Sequence, residues 1–283
     1  MGILIIGASG FLGKYVVNIF LQKNVSIYIL ERQENEIQNK CKNKKYFVKV
    51  DELQALIESN QIKTIVFLAN RYDRNNPILD VLDCNIGYLI KCLEIIKITR
   101  KNVHFIYSGS IAKSESSFYG ATKNAATEFL KFYATNHIKI TNVIIHQMYG
   151  PNDTSNSYIS SAIRQIIEGR TIYCMDSGQK RDFIHVSDVA SAISIISDHG
   201  FSSDFCSYDL GTGIPTTLRS FFTTVREHSR HPTLSDQFLY KPDYSRRPRR
   251  AKANNSTLLR LGWVPKINLE NGVRQLIDSW ISK

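Results

Sequence analysis

Tyr119 and Lys123 stand four residues apart, with Ser108 and Ser110 a short way upstream. On a helix, residues at that spacing share a face. A free tyrosine ionises near pH ~10 and is a poor acid or base at neutral pH. An ammonium within a few ångströms favours the phenolate and draws the phenol towards working range. Ser110 can hydrogen-bond a reacting oxygen, and Ser108 is the alternative, since both fall after the same apolar run. Such a set moves a proton to or from oxygen. Tyr-x-x-x-Lys alone also describes an ordinary exposed helix face. Serine, tyrosine and lysine in this order, after a fifth parallel strand, form a narrower pattern.

A second pattern opens the chain: Gly7-Ala8-Ser9-Gly10-Phe11-Leu12-Gly13, directly after the apolar run Ile3–Ile6. Glycine allows a tight strand-to-helix turn and lets a pyrophosphate approach the helix N-terminus. Gly7, Ser9, Gly10, Phe11, Leu12 and Gly13 are therefore the candidate phosphate cradle. Glu31 falls about 20 residues beyond the glycines, where an acidic residue takes an adenosine 2′-hydroxyl. Arg32 follows and suits a 2′-phosphate instead. Glu31 favours NAD(H) and Arg32 NADP(H), and the reading leans to NAD. Cradle and proton set together read as an enzyme moving a hydride with a nicotinamide cofactor.

These groups need a scaffold. Residues 2–6 form an apolar run of the kind buried on both faces of a parallel sheet. A helix is expected over about 11–23, strands over 25–30, 46–50 and 63–69, and one long amphipathic helix over about 78–99. A fifth strand over 103–107 leaves Ser108 and Ser110 on the loop after it, followed by a helix over about 117–136 and a strand over 140–147. The alternation is that of an α/β, Rossmann-type, doubly wound parallel sheet. Residues 1–150 are read as the dinucleotide-binding domain, with 181–186 and 205–210 as strands returning to the main sheet. Residues 151–180 and 211–283 are read as a smaller C-terminal substrate domain.

Composition narrows the setting. The 283 residues carry a formal net charge of +11, and one basic cluster is dense, Arg246-Arg247-Pro248-Arg249-Arg250. The other basic residues are scattered and no nucleic-acid module is visible, so the charge is assigned to a doubly charged substrate and a dinucleotide. No apolar run approaches the roughly 20 residues that span a bilayer, and Ile3–Ile6 is too short for a signal sequence. A cytoplasmic protein is expected. The five cysteines contain no Cys-x-x-Cys and are read as reduced, with no metal site.

Several segments resemble the extended short-chain dehydrogenase/reductase family, the NAD-dependent epimerases, dehydratases and reductases of sugar nucleotides. Gly-x-x-Gly-x-x-Gly is that family's form, Leu68-Ala69 resembles its segment after the fourth strand, and Asn85 fits its asparagine on the long helix. Met148-Tyr149-Gly150-Pro151, Arg181-Asp182-Phe183-Ile184-His185-Val186-Ser187-Asp188-Val189 and Leu261-Gly262-Trp263-Val264-Pro265 are also similar to its patterns. The likeness covers nearly the whole chain. It implies that Leu68, Ala69, Asn85, Ser108, Tyr119 and Lys123 join the glycines at the cofactor. It also implies that Ser110 and Arg181 meet a nucleotide-sugar substrate, with Arg181 on the diphosphate. Arg246 or Arg247 joins from the C-terminal domain, a guanidinium fork suiting phosphate. His185 is read as a packed strand residue rather than a catalyst. The family further implies a homodimer through the helices around residues 78–99 and Tyr119.

Two departures sharpen the reading. Only eight residues separate Ser110 from Tyr119, a short loop similar to that of the CDP-paratose/CDP-abequose synthase type of sugar-nucleotide 4-ketoreductase. Ser177-Gly178-Gln179-Lys180-Arg181 and Gly211-Thr212-Gly213 resemble that type as well. Ile111-Ala112 stands where the 4,6-dehydratases carry Asp-Glu, so the acid–base pair for eliminating water is missing there. The expected reaction is NAD(P)H-dependent reduction of the C4 ketone of a nucleotide-linked 4-keto-6-deoxy sugar, in deoxysugar and surface-polysaccharide biosynthesis. The alternatives are a nucleotide-sugar 4-epimerase and a non-catalytic cofactor-binding sensor.

Overall fold

β1 (Gly2–Ile6) is buried along its whole length because it lies in the middle of a sheet covered on both faces. Side chains alternate along a strand. Ile3 and Ile5 therefore pack into one apolar layer, and Leu4 and Ile6 into the layer on the opposite face. The computed structural model describes residues 2–30, 45–74, 76–153, 155, 157–170, 172–175, 179–199, 203–229, 238–241 and 251–281. After β1 come α1 (Phe11–Gln22), β2 (Ile27–Leu30), β3 (Lys45–Val48), α2 (Leu53–Glu58), β4 (Ile62–Phe67), α3 (Ile78–Leu82), α4 (Tyr88–Thr99), β5 (Val103–Ser110), α5 (Phe118–Tyr133) and β6 (Ile138–Ile145). Then follow β7 (Gln147–Tyr149), α6 (Tyr158–Ile167), β8 (Ile172–Met175), β9 (Lys180–His185), α7 (Val186–Asp198), β10 (Phe205–Leu210), β11 (Pro215–Thr217), α8 (Leu218–His228), β12 (Phe238–Lys241), α9 (Ser256–Arg260) and α10 (Leu269–Ile281).

The main sheet has seven parallel strands in the order β10-β6-β5-β4-β1-β2-β3. The order reverses between β1 and β4, and doubly wound sheets bind ligands at the carboxyl ends of strands beside such a reversal. α1 and α7 cover one face, and α2, α4 and α5 cover the other. A separate apolar cluster gathers around Tyr149, Phe183, Phe221 and Phe222, with Ile163 from α6 and Leu276 from α10. The Phe183 and Phe221 rings stack with centroids 3.9 Å apart. This cluster carries a three-stranded sheet β11-β9-β7 and the parallel pair β12-β8.

Three expectations need correction. Residues 181–186 do not return to the main sheet: β9 pairs antiparallel with β11 and parallel with β7. The edge of β6 it would need is taken by β10. The return to the main sheet starts instead with α7, and Leu258 and Trp263 also pack into the same apolar layer. Ser108 and Ser110 are not on a loop, because β5 runs on through Ser110, in register with Ile145 of β6. The helix expected over 78–99 widens at Asp83–Gly87 into a π turn between α3 and α4. Such turns recur at functional sites, where the extra residue re-aims a side chain; here the π turn contains Asn85.

Candidate active site

The glycine turn links β1 to α1. Gly7 has φ +87°, and a Cβ there would lie 2.7 Å from the Ala69 nitrogen. A Cβ on Gly13 would lie 2.2 Å from the Gly7 carbonyl oxygen. Packing within the protein thus forces glycine at 7 and 13. Gly10 differs: its backbone is extended (φ −65°, ψ 169°), and a Cβ would meet only the Gly7 oxygen, at 3.3 Å. It caps α1 with no side-chain hydrogen bond. Ser9 and Gly10 are exposed at this end, Phe11 is half-buried and Leu12 buried. A bare helix N-terminus with room above it suits a pyrophosphate, so these residues fit the dinucleotide. Leu68 donates its N–H to Ile6 (2.8 Å), which sets Leu68-Ala69 against Gly7 at the β1/β4 reversal. Glu31 and Arg32 lie outside the described residues.

Ser110, Tyr119 and Lys123 come together at the carboxyl end of β5. Ser117 caps α5 by accepting from the Gly120 N–H at 3.0 Å. Gly120 is needed because a Cβ would strike the Lys113 carbonyl at 2.2 Å. The loop between Ser110 and Tyr119 is therefore pressed onto α5, where Asn124 also donates to the Ala112 carbonyl. The Ser110 hydroxyl neighbours that of Tyr119 and lowers its ionisation, and Ser110 Oγ accepts from Ala112 N–H at 3.1 Å. Lys123 is only 2% exposed; its ammonium donates to the Ser108 carbonyl (2.8 Å) and lies 4.5 Å from the centroid of the Tyr107 ring. Ser108 Oγ is buried with no hydrogen-bond partner, so Ser110 is the serine brought to Tyr119.

Lys123 stands at a distance from the Tyr119 ring. Its nitrogen is 5.8 Å from the centre of the Tyr119 ring, and burial pushes its own pKa down to about 7. Burial pushes Tyr119 up, and the groups that pull it back are two hydroxyls, Ser110 and Tyr72.

Tyr72 was not foreseen. It stands on the loop after β4, its ring centroid 4.5 Å from that of Tyr119. Asn85 holds this loop. Its Oδ1 accepts from Arg71 N–H (2.7 Å), and its Nδ2 donates to the Arg71 carbonyl (2.9 Å) and to Thr122 Oγ1 (2.9 Å). Thr122 Oγ1 in turn donates to the Tyr119 carbonyl. The Asn85 amide, expected at the cofactor, is thus engaged by the protein. Nothing local in the sequence marks Tyr72, since its partner is more than forty residues away.

Arg181 lies on β9, nearly buried; its guanidinium donates to the Lys180 carbonyl (2.9 Å) and to the Gln179 side chain. Its neighbour Asp182, fully buried, accepts from Thr212 N–H, Thr212 Oγ1, Gly213 N–H and Ala253 N–H, all within 3.0 Å. One carboxylate therefore explains why Arg-Asp-Phe and Gly-Thr-Gly both occur. His185 caps α7 by accepting from Ser187 N–H, and burial pushes its pKa down to about 4, consistent with a packed neutral ring. Arg246, Arg247, Ser177 and Gly178 lie outside the described residues. Among the described residues, no group of three or more His, Cys, Asp or Glu is placed to hold a metal, and no helix is long and apolar enough to cross a membrane.

Residues 3–211 match the model of the NAD dependent epimerase/dehydratase family. CDP-abequose synthase of Salmonella muenchen is 27% identical, covering 98% of this chain and 97% of that protein. A putative UDP-glucose 4-epimerase of Methanocaldococcus jannaschii is 23% identical over 98% of this chain and 97% of its own length. Among solved structures, the Thermotoga maritima UDP-glucose 4-epimerase with UDP-glucose superposes with a TM-score of 0.81 at 20% identity, over 100% of this chain and 99% of its own. The Bacillus anthracis dTDP-glucose 4,6-dehydratase in complex with NAD gives 0.80 at 20% identity, over 100% and 97%.

Two outcomes follow from the cradle and the buried lysine. Gly13→Ala should cost about 1–3 kcal/mol of stability by overpacking, whereas Gly10→Ala should keep the melting temperature and weaken NAD binding; equal losses of stability in the two variants would contradict the assignment. The Lys123 ammonium ionises lower in the folded chain than its unfolded value of roughly 10.4, so the unfolded state holds more protons between about pH 7 and that value. Wild-type stability should therefore rise with pH in this window relative to Lys123→Met. Denaturant titrations at pH 6.5 and 9 test this, and parallel shifts of both proteins would refute it.

Proposed function

The chain belongs to the NAD dependent epimerase/dehydratase family, and from that premise we propose that it reduces the C4 ketone of a nucleotide-linked 4-keto-6-deoxy sugar. One observation supports this most: Ser110 and Tyr119 are neighbours beside buried Lys123, while Ile111-Ala112 offers no acid–base pair for elimination. The full-length similarity to CDP-abequose synthase points the same way. The reduced nicotinamide, when bound in the glycine cradle, supplies the hydride. The chain's own residues handle the proton.

Ser110 Oγ already accepts from Ala112 N–H, which fixes its lone pair and leaves its hydrogen to donate to the ketone oxygen. Tyr119 then gives its proton to the developing alkoxide. The Lys123 ammonium, placed by the Ser108 carbonyl, attracts the phenolate left behind. Burial makes that attraction stronger than it is in water. Arg181, joined by Arg246 or Arg247, is assigned to the substrate diphosphate, and Glu31 or Arg32 to the choice between NADH and NADPH, with NADH preferred.

A second reading, 4-epimerisation, is favoured by the full-length similarity to the putative 4-epimerase. Cofactor stoichiometry separates them. The reductase consumes one NADH or NADPH per 4-keto-6-deoxy sugar nucleotide, tested with CDP-, dTDP-, GDP- and UDP-linked forms. An epimerase interconverts UDP-glucose and UDP-galactose with no net consumption. Tyr119→Phe should lower kcat by about 10²–10⁴-fold, the usual contribution of general acid catalysis, with NAD affinity within about twofold. Wild-type turnover in that variant would remove Tyr119 from the mechanism.

We infer also that the chain acts as a homodimer. Ile78, Leu79 and Leu82 of α3, Ile98 of α4, and Phe129 and Phe132 of α5 are all exposed, with Leu79 and Phe132 each 75% accessible. Large apolar side chains gathered on neighbouring helices mark an interface. A dimer of about twice 32.3 kDa is expected by light scattering at micromolar concentration. Phe132→Glu combined with Leu79→Glu should give a folded monomer, and a wild-type monomer would exclude the assembly.

A further inference from the structure

We propose that Tyr72 is a positioning residue for Tyr119: its hydroxyl donates a hydrogen bond to the Tyr119 oxygen and steadies the phenolate formed when Tyr119 gives up its proton. This rests on the ketone-reduction reading above, which gives Tyr119 that role.

The geometry is built rather than incidental. The two rings are 4.5 Å apart at 33°, which brings the Tyr72 hydroxyl to the Tyr119 side chain as a neighbour that lowers its ionisation. The backbone on each side of Tyr72 is tied down. Arg71 is held through both its N–H and its carbonyl by Asn85. Asp73 accepts from the N–H of Phe118, at 2.9 Å, the residue just before Tyr119. Asn76 donates to the Tyr72 carbonyl at 2.8 Å. The same Asn85 amide reaches the Tyr119 carbonyl through Thr122. Loop and helix are therefore fastened to each other at both ends of the contact, which fixes one hydroxyl against the other.

Surrounding groups decide which phenol ionises. Tyr119 faces Ser110 and Tyr107 of β5, Lys123 of its own helix, and Tyr72. Cys84, in the π turn, lies near Tyr107 and Lys123. Tyr72 faces Tyr119 and, from the segment after β7, the carboxyl of Asp153. Asp153 is buried and accepts from Ser160 Oγ and Ser155 N–H. A carboxylate there opposes a second negative charge on Tyr72. The charge of an ionised Tyr119, then burial and the Asp153 carboxylate, push Tyr72 well up, whereas burial raises Tyr119 and its neighbouring hydroxyls pull it back. Tyr72 thus keeps its proton and Tyr119 loses its own. In the step, the Tyr119 O–H bond breaks and an O–H bond forms on the sugar alkoxide. Tyr72 then donates to the phenolate oxygen, while the Ser110 hydrogen stays on the sugar oxygen, until solvent returns the proton.

The test uses Tyr72→Phe, which keeps the ring and removes only the hydroxyl. Enzyme with NAD⁺ bound and [ζ-¹³C]tyrosine incorporated is titrated by NMR from pH 7 to 11, with the Tyr119 resonance assigned from Tyr119→Phe. The Tyr119 transition should move about one unit alkaline in Tyr72→Phe, a roughly tenfold loss of acidity, as expected for a hydrogen bond to a charged group. In turnover of the 4-keto sugar nucleotide, kcat should fall about tenfold or more while KM stays within about twofold. An unmoved transition, a Tyr119 that stays protonated to pH 11 in the wild type, or a change in KM alone would each overturn the inference. A moved transition with no ketone reduced by the wild type would overturn the function and leave the hydrogen bond standing.

Discussion

The site is organised around a lysine ammonium that the fold has taken out of water. Removing such a charge from solvent is costly unless it is paired and hydrogen-bonded. Lys123 has the Ser108 carbonyl at 2.8 Å and the faces of Tyr107 and Tyr119 at 4.5 and 5.8 Å, and among the described residues no carboxylate is hydrogen-bonded to it. The pull of burial on its pKa, down to about 7, expresses the remaining imbalance. A group in that state is stabilised by any anion formed beside it. In the proposed ketone reduction the phenolate of Tyr119 is such an anion, so the strain of burying the lysine would be relieved in the step that uses it.

Around that centre, single side chains place long loops by gathering backbone groups. Asn85 fixes Arg71 and, through Thr122, the turn bearing Tyr119. Asp182 collects donors from Thr212, Gly213 and Ala253. Asp188 accepts from Lys266 and Ile267 N–H, while its carbonyl and Ser191 receive the Trp263 indole. Buried donors left unmet cost about 1–3 kcal/mol each, so these residues act over several donors at once. They also join the two apolar clusters: Asp182 lies in the small sheet, whereas the Gly211–Gly213 segment follows the edge strand of the large one.

Much of this was legible in the sequence, for local reasons. Strands covered on both faces read as apolar runs, so β1 was visible as a run from Gly2 to Ile6. The glycine turn was visible because two of its glycines answer to steric contact within a few residues or across one strand pair. Ser110, Tyr119 and Lys123 were visible because helix spacing and a strand end fix their relation. Residue pairs distant in sequence were not. Tyr72 meets Tyr119 only through a loop that is fastened to α5 across forty-five residues at Asp73–Phe118. The pairing of β9 with β7 and β11 was hidden for a related reason: an apolar strand does not announce which sheet has a vacant edge.

The ionisation of Tyr119 is therefore a balance among neighbours from three parts of the chain. Desolvation on α5 raises it, a serine at the end of β5 lowers it, and a tyrosine from the loop after β4 lowers it further. A Tyr-x-x-x-Lys spacing assigns the whole adjustment to the lysine. In the folded chain the lysine supplies charge at a distance, and the hydroxyls supply the direct contacts. The two are not interchangeable. A hydroxyl donor stabilises a phenolate without carrying net charge into a dry site, whereas a second ammonium there would itself be driven to lose its proton. Two neighbouring hydroxyls and one buried lysine at a distance thus share the adjustment.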